Sequence, residues 1–178
     1  MKKELVFVLF VLFPFLLFSQ KYEHNRPGIG INLGFEGYNG LIIGTEFSYP
    51  IARSLFINGR LRSPASSIFG DDLQEKYNYY DKPINYYVSS IGLGYLKRIS
   101  NKVDFSFGLQ YQYKYYWSSP EYLHLKNEKS IIFPFDIIFH INKKFSIKTG
   151  FSPTFNLNNS RRRFRFCVDP HLTFNLKF

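Results

Sequence analysis

The sequence predicts an all-β protein, an eight-stranded antiparallel up-and-down transmembrane β-barrel. Three observations carry this prediction. Apolar and polar residues alternate with a period of two in eight stretches of the chain, which is an even number. Short turns alternate with longer connections between these stretches. Aromatic residues make up 20% of the chain, and Tyr and Trp gather near the ends of strands that the longer connections join.

The amino terminus has the pattern of a secretory signal peptide. Lys2 and Lys3 precede an apolar run over residues 5–18, and a small residue, Ser19, follows it. A positive start, a short apolar stretch and a small residue at the end are typical of such peptides. The run is shorter than the roughly 20 apolar residues that a spanning helix needs. We expect residues 1–19 to be the signal peptide and residues 20–178 to form the barrel domain.

The predicted strands follow one another along the rest of the chain. Their ranges are residues 29–35, 41–49, 55–62, 87–95, 103–115, 131–141, 145–156 and 164–178. In each strand Ile, Leu, Val, Phe or Tyr alternates with small, polar or charged residues, as in a sheet whose two faces meet different surroundings. After Gln20 no window has helical periodicity, so no helix is predicted.

The connections between the strands differ in length on the two sides of the sheet. Residues 50–54, 100–102 and 142–144 are short turns, whereas residues 63–83, 118–129 and 158–163 are longer connections. The remaining connection, Tyr38-Asn39-Gly40, is tight and carries the Asn-Gly hairpin signal. Short turns on one side and longer loops on the other are typical of an outer-membrane barrel with the short side in the periplasm. Both mature termini are then expected in the periplasm.

A period of two alone does not separate a membrane barrel from a secreted β-sandwich, because both alternate. Several predicted strands exceed the five or six residues usual in globular sheets, and small polar residues suited to a narrow lumen line the other face. Two groups of aromatic residues are predicted to form girdles at the membrane interfaces: Tyr77, Tyr79, Tyr80, Tyr86 and Tyr87, and Tyr111, Tyr113, Tyr115, Tyr116, Trp117 and Tyr122. The apolar face is therefore expected to meet lipid.

Charges on the polar face are expected to pair inside the barrel. The alternation places five acids and seven bases there: Glu36, Glu46, Asp104, Asp136 and Asp169, with Arg60, Arg62, Arg98, Lys114, Lys148, Arg165 and Lys177. An unpaired buried charge is costly, so this near-balance predicts a salt-bridge network. Eight strands leave an interior just wide enough for side chains to fill, so no open pore is expected.

These features together resemble the small eight-stranded outer-membrane barrels of the OmpA-membrane-domain and OmpX type. The resemblance rests on the predicted signal peptide, the eight alternating strands and the terminal aromatic residue, and it covers the whole chain after the signal peptide. It implies a place in the outer membrane of a Gram-negative cell envelope, in contact with outer-membrane lipid and lipopolysaccharide. In that family the last strand is the signal read by the barrel-assembly machinery, and Leu172, Phe174, Leu176 and Phe178 match its pattern.

One pair of residues could carry chemistry. Asp169 and His171 lie two apart on the inward face, and a few eight-stranded barrels are lipid A-modifying enzymes with a His, a Ser and an acid. Such a set needs a nucleophile within hydrogen-bond reach of the base. Four serines face inward, Ser106, Ser130, Ser146 and Ser152, and none can be paired with His171 from sequence. We therefore expect the pair to belong to the charge network and assign no catalytic residue.

The remaining motifs assign no cofactor, metal or nucleic-acid partner. The single cysteine, Cys167, and the dispersed histidines do not form a metal-ligand pattern. The net charge of +10 is scattered and no nucleic-acid recognition motif accompanies it. Its one dense run, Arg161 to Arg163 with Arg165, equally suits the phosphates of a lipid surface.

The predicted function is that of a non-enzymatic outer-membrane barrel with a structural or surface-interaction role. Two alternatives stay open. One is a lipid A-modifying enzyme, acting by acyl transfer or deacylation through His171 with Asp169. The other is a narrow conduit for small apolar molecules.

Overall fold

A computed structural model describes residues 26–36, 40–69, 85–118, 126–158 and 167–178. The predicted signal peptide, the middle of the longest connection and the arginine run at 161–165 lie outside the described residues. No helix within the described ranges is long and apolar enough to cross a membrane.

The described residues form nine strands and one short helix. The strands are β1 (Gly28–Glu36), β2 (Gly40–Pro50), β3 (Leu55–Pro64), β4 (Asn85–Arg98), β5 (Val103–Ser118), β6 (Glu128–Ile132), β7 (Phe135–His140), β8 (Phe145–Asn156) and β9 (Cys167–Lys177). The helix, α1, spans Ala65–Phe69. All pairings between strands are antiparallel.

The strands close into a ring of eight crossings, which confirms the predicted fold class. β1 pairs with both β2 and β9, so the last strand seals the sheet against the first. β6 and β7 form one crossing, since each pairs with β5 on one side and β8 on the other.

The break between β6 and β7 falls at Phe133 and Pro134. Proline has no amide hydrogen to donate, so the ladder is locally interrupted. Backbone bonds nevertheless continue through the break: the Gly108 amide donates to the Pro134 carbonyl at 2.9 Å, and the Phe133 amide donates to the Pro153 carbonyl at 2.9 Å. The polypeptide therefore passes the proline without leaving the sheet.

The barrel is polar inside and apolar outside. Among the described residues, nineteen polar or charged side chains are buried, against six apolar ones. Asp104 and Thr173 are completely buried, whereas Ile31 is 58% exposed and Ile91 is 56% exposed. Apolar side chains on the outer wall are what a bilayer requires, and a sandwich would bury them instead. The predicted assignment of the two faces is therefore correct.

Three short turns share one backbone geometry at one end of the barrel, which we call the short-turn end. In each turn two successive amides donate to a single carbonyl: Ile51 and Ala52 to Leu55, Ile99 and Ser100 to Val103, and Ile141 and Asn142 to Phe145. The start of β1 and the end of β9 lie at the same end, where the Phe178 amide donates to the Pro27 carbonyl at 3.0 Å. The opposite end, with α1 and the longer connections, is the long-loop end.

Several strands are longer than the alternation predicts. β3 continues to Pro64, β4 begins at Asn85 and β5 continues to Ser118. Here pairing with a neighbouring strand sets the boundary, as in the register of Ser63 with Ile43. α1 lies where only a loop is predicted, because its five residues are too few to show helical periodicity.

Candidate functional site in the lumen

A single carboxylate, that of Glu46 on β2, joins opposite walls of the barrel. Its Oε2 accepts a hydrogen bond from Arg60 Nε on β3 at 2.9 Å. Its Oε1 accepts from Asn58 Nδ2 at 2.8 Å and also pairs with Lys148 Nζ on β8. Because β8 lies across the ring from β2 and β3, these bonds bridge the lumen.

A second carboxylate, Asp136 on β7, completes the central network. Its Oδ2 lies 3.8 Å from Arg60 Nη2 and 3.6 Å from Lys148 Nζ. Ser106 Oγ donates to the same oxygen at 3.2 Å. Two acids therefore share two bases, so that each buried charge has an opposite charge nearby, which offsets part of the cost of removing it from water.

His171 on β9 enters this network through Asp136. Its Nε2 lies 2.7 Å from Asp136 Oδ1 and 3.1 Å from Arg60 Nη2. Its Nδ1 lies 3.2 Å from the backbone carbonyl of Asp169. At 2.7 Å the His171 Nε2 and Asp136 Oδ1 atoms are within hydrogen-bond distance, and such a bond needs a proton on one of the two groups.

The carboxylate of Asp169 is hydrogen-bonded to Arg62 and not to the His171 ring. Arg62 Nη1 donates to its Oδ2 at 2.5 Å. The two candidate residues thus meet only through the Asp169 backbone carbonyl, and the acid beside the His171 ring is Asp136. Asp136 and His171 are 35 positions apart, and no local motif joins them, so only the register of β7, β8 and β9 brings them together.

The inward serines belong to other hydrogen bonds or lie apart from the imidazole. Ser106 donates to Asp136, and Ser152 Oγ accepts from Arg60 Nη1 at 3.2 Å. Within the described ranges, Ser146 Oγ has no hydrogen-bond partner. Both ring nitrogens of His171 contact groups other than a serine hydroxyl. The arrangement can hold charges and a proton in place.

Charge pairs flank the central network toward the short-turn end. His140 Nε2 lies 2.6 Å from Asp104 Oδ2, and Lys177 Nζ lies 3.2 Å from His140 Nδ1. A cavity of about 70 Å³ lies between the network and this end. Its lining combines apolar side chains, Phe56 and Ile138 among them, with Lys148 and Ser146, and a space of this size holds a few water molecules.

An aromatic layer lies toward the long-loop end. Lys114 Nζ sits 3.9 Å from the centre of the Tyr86 ring, and the Tyr86 and Tyr116 rings are 5.6 Å apart. Tyr86 packs with Ile42 and Val88 and is completely buried. The prediction that Tyr86 belongs to the lipid-facing girdle is wrong, because Tyr86 shares the inward face of β4 with Val88 and Ser90. Tyr87, its neighbour, does face outward and stacks with Tyr115 at 5.2 Å.

Buried charges are balanced within the described residues. Four acids and four bases are buried: Glu46, Asp104, Asp136 and Asp169, with Arg60, Arg62, Lys114 and Lys148. Lys177 is half-buried. Arg98, also predicted to point inward, instead donates to the Ser100 carbonyl at 3.2 Å and to Asn101 Oδ1 at 3.1 Å in the adjacent turn. The side chains of Glu36 and Arg165 lie outside the described part of the chain.

The remaining candidate features are a metal site and the terminal strand. No group of three His, Cys, Asp or Glu side chains in the described ranges is arranged to hold a metal ion. On β9, Leu172 and Leu176 are half-buried, Phe174 is 48% exposed and Phe178 is 65% exposed. These four alternate with buried or half-buried polar residues; β9 pairs with β8 over residues 167–176 and with β1 over residues 171–177.

The fold is that of small outer-membrane barrels. A de novo designed transmembrane β-barrel superposes with a TM-score of 0.57 at 9% identity, over 90% of this chain and 100% of the designed one. The amino-terminal barrel domain of Pseudomonas aeruginosa OprF superposes with a TM-score of 0.52 at 10% identity, over 85% of this chain and 97% of that domain. The Yersinia pestis outer membrane protein Ail gives 0.51 at 12% identity, over 86% and 99% of the two chains. The sequence matches no protein-family model and no curated protein sequence.

Proposed function

We propose that this protein is a non-conducting, non-enzymatic outer-membrane barrel with a structural or surface-interaction role. The outer-membrane location is supported by the fold, which it shares with OprF and Ail. The observation that carries the rest is the network of Glu46, Arg60, Lys148 and Asp136, which occupies the middle of the lumen.

The network supports a closed lumen. An eight-stranded barrel has an interior that side chains can fill. Here Glu46 reaches Lys148 on β8, and Arg60 reaches Ser152 on β8 and His171 on β9. A solute would have to break several charge-assisted bonds at once to pass this layer.

Conductance in planar bilayers tests this closure. The wild-type protein should show no large, steady single-channel conductance. A variant that replaces Arg60 and Lys148 with Ser should conduct more, because two long side chains leave the lumen. A gel comparing unheated with boiled samples would verify that both proteins are folded. Large, steady conductance by the wild type would overturn the proposal.

The short turns and both termini are proposed to face the periplasm, because short periplasmic turns are general among outer-membrane barrels. Labelling of intact cells tests this orientation. In a Cys167→Ser background, Lys126→Cys at the long-loop end should react with a membrane-impermeant maleimide, and Asn101→Cys in a short turn should not. The opposite pattern would reverse the orientation.

The surface-interaction role is proposed for the connection between β3 and β4. Its residues 70–84 include three Tyr and charges of both signs. Exposure of this connection on the cell surface is tested by replacing residues 71–82 with a short Gly-Ser linker. The variant should keep the heat-dependent mobility of a folded barrel and lose recognition by antibodies raised against the loop on intact cells. A variant that fails to fold would show instead that the loop is part of the barrel.

The absence of enzymatic activity is supported by the bonds of His171, whose two ring nitrogens contact Asp136, Arg60 and a backbone carbonyl. Mass spectrometry of lipid A from cells with and without the gene tests it. We expect identical acyl chains in both, and a difference that disappears in a His171→Gln variant would establish the enzyme instead.

A further inference from the structure

Large apolar side chains are exposed at four places around the short-turn end. Ile51, Ile99 and Ile141 each begin one of the three short turns and are 54%, 63% and 65% exposed. Phe178 follows β9 and is 65% exposed. Because the turns share one hydrogen-bond pattern, each isoleucine occupies the same position in its turn.

Exposed basic side chains stand at the same four places. We call them the basic ring: Arg26, Arg53, Lys97, Lys102, Lys143 and Lys144. Arg26 precedes β1, near Phe178, and the others lie in or beside the three turns. Each exposed apolar residue therefore has at least one base close to it in the chain or across the β1–β9 closure.

No acidic side chain among the described residues is exposed at the short-turn end. Glu46, Asp104, Asp136 and Asp169 are buried in the lumen. Glu36 ends β1 and Glu128 begins β6, both at the long-loop end. The described part of the short-turn end consequently exposes more bases than acids, and such a surface attracts anions.

The combination of apolar residues with bases indicates which anion fits. An exposed isoleucine gains nothing from water, whereas at the edge of a bilayer it can enter the acyl region. Lysine and arginine lay their aliphatic stems along apolar surface and extend their charged heads to the interface. A periplasmic polyanion would satisfy the bases and leave the isoleucines in water. Phospholipid satisfies both.

We propose that the short-turn end is a docking ring for anionic phospholipids of the adjoining leaflet. Lipid phosphates meet the basic ring, while Ile51, Ile99, Ile141 and Phe178 enter the boundary of the acyl chains. The inference needs only that the barrel spans a bilayer with anionic phospholipid in the leaflet at the short-turn end, and it holds for any role of the surface loops.

Lipid retention tests this proposal. The full barrel is reconstituted in vesicles of phosphatidylglycerol and phosphatidylcholine in equal amounts, extracted in a mild detergent, and analysed by mass spectrometry for retained lipid. We expect phosphatidylglycerol to be enriched several-fold over phosphatidylcholine and the enrichment to fall as salt is added. Attraction of each base to an anionic surface corresponds to about fivefold at most.

Variants of two matched lysine pairs test whether the lipid preference arises at the short-turn end. Lys143→Gln with Lys144→Gln should lower the enrichment about two- to fivefold, within the limit of about 25-fold that two bases set by the same relation. Lys126→Gln with Lys129→Gln, which removes two exposed lysines at the long-loop end, should leave it unchanged. Lys143→Arg with Lys144→Arg should keep it.

The unheated gel mobility of each variant confirms folding before lipids are measured. Equal retention of the two lipids by the wild type would overturn the proposal. So would equal losses in the two glutamine variants, because the preference would then follow net charge and not the short-turn end.

Discussion

Glu46 alone connects several residues of the lumen network. Its two oxygens contact Arg60, Lys148 and Asn58, and the side chain is 2% exposed. Sequence alternation predicts that Glu46, Arg60 and Lys148 point inward and that buried charges pair. It cannot predict that Glu46 meets Lys148 across the lumen, because the two residues are 102 positions apart and their meeting depends on the stagger of the strands around the barrel. For the same reason Asp136, and not Asp169, lies against the His171 ring.

Neutralising Glu46 tests the network at this scale. Glu46→Gln leaves Arg60 and Lys148 with fewer opposite charges in a buried site, so the free energy of unfolding should fall by about 3–5 kcal/mol. Urea unfolding of the folded barrel in lipid vesicles measures it. Glu128→Gln, the same change at a half-buried acid near the long-loop end, should cost about 1 kcal/mol or less. Equal stability of wild type and Glu46→Gln would show that the network contributes nothing.

Gly44 on β2 lies so close to β3 that a larger side chain does not fit there. A Cβ there would lie 1.9 Å from the Leu61 carbonyl oxygen and 2.6 Å from the Arg62 Cα, both backbone atoms of the paired strand. At Gly28 the nearest atoms would be 3.2 Å away. Gly44→Ala should therefore destabilise the barrel by about 1–3 kcal/mol in urea unfolding, and Gly28→Ala by clearly less. Similar losses for the two variants would contradict this reason for the glycine.

At the scale of whole elements, the sequence predicts the number and order of the membrane crossings and is less accurate about their ends. Alternation is strong where one face meets lipid and the other meets the lumen. It fails at the end of β5, where Tyr115, Tyr116 and Trp117 follow one another and Tyr116 turns toward Tyr86. Alternation also gives no sign of the short helix α1. In the structure Ser67 of this helix donates a hydrogen bond to Asn85 Oδ1 at 2.6 Å.

The terminal strand offers a prediction at this scale. If Phe178 belongs to the signal read by the barrel-assembly machinery, Phe178→Ala should reduce the amount of folded barrel in the outer membrane several-fold while leaving refolding in detergent unchanged. Phe145→Ala, which truncates another exposed phenylalanine, at the start of β8, should have little effect in cells. Equal reductions would indicate a general loss of apolar surface.

For the whole molecule, length and polarity agree with a bilayer. β5 has 16 residues, which at the usual rise and tilt extend about 40 Å along the barrel axis, enough to cross a hydrocarbon core of about 30 Å. The charges are divided by location: a balanced set lies in the lumen, and an excess of bases lies at the short-turn end. The net charge of +10 thus includes six exposed bases at the short-turn end.

The orientation of the strand faces can be measured with spin labels on two neighbouring residues of β9. In a Cys167→Ser background, a nitroxide is attached at Phe174→Cys or at Thr173→Cys, and its accessibility to oxygen and to a water-soluble nickel complex is compared in vesicles. Phe174 is 48% exposed and Thr173 is completely buried. The label at position 174 should collide readily with oxygen and rarely with nickel, while the label at 173 should be protected from oxygen. A label at 174 that is shielded from oxygen, or open to nickel, would contradict a lipid-facing apolar wall.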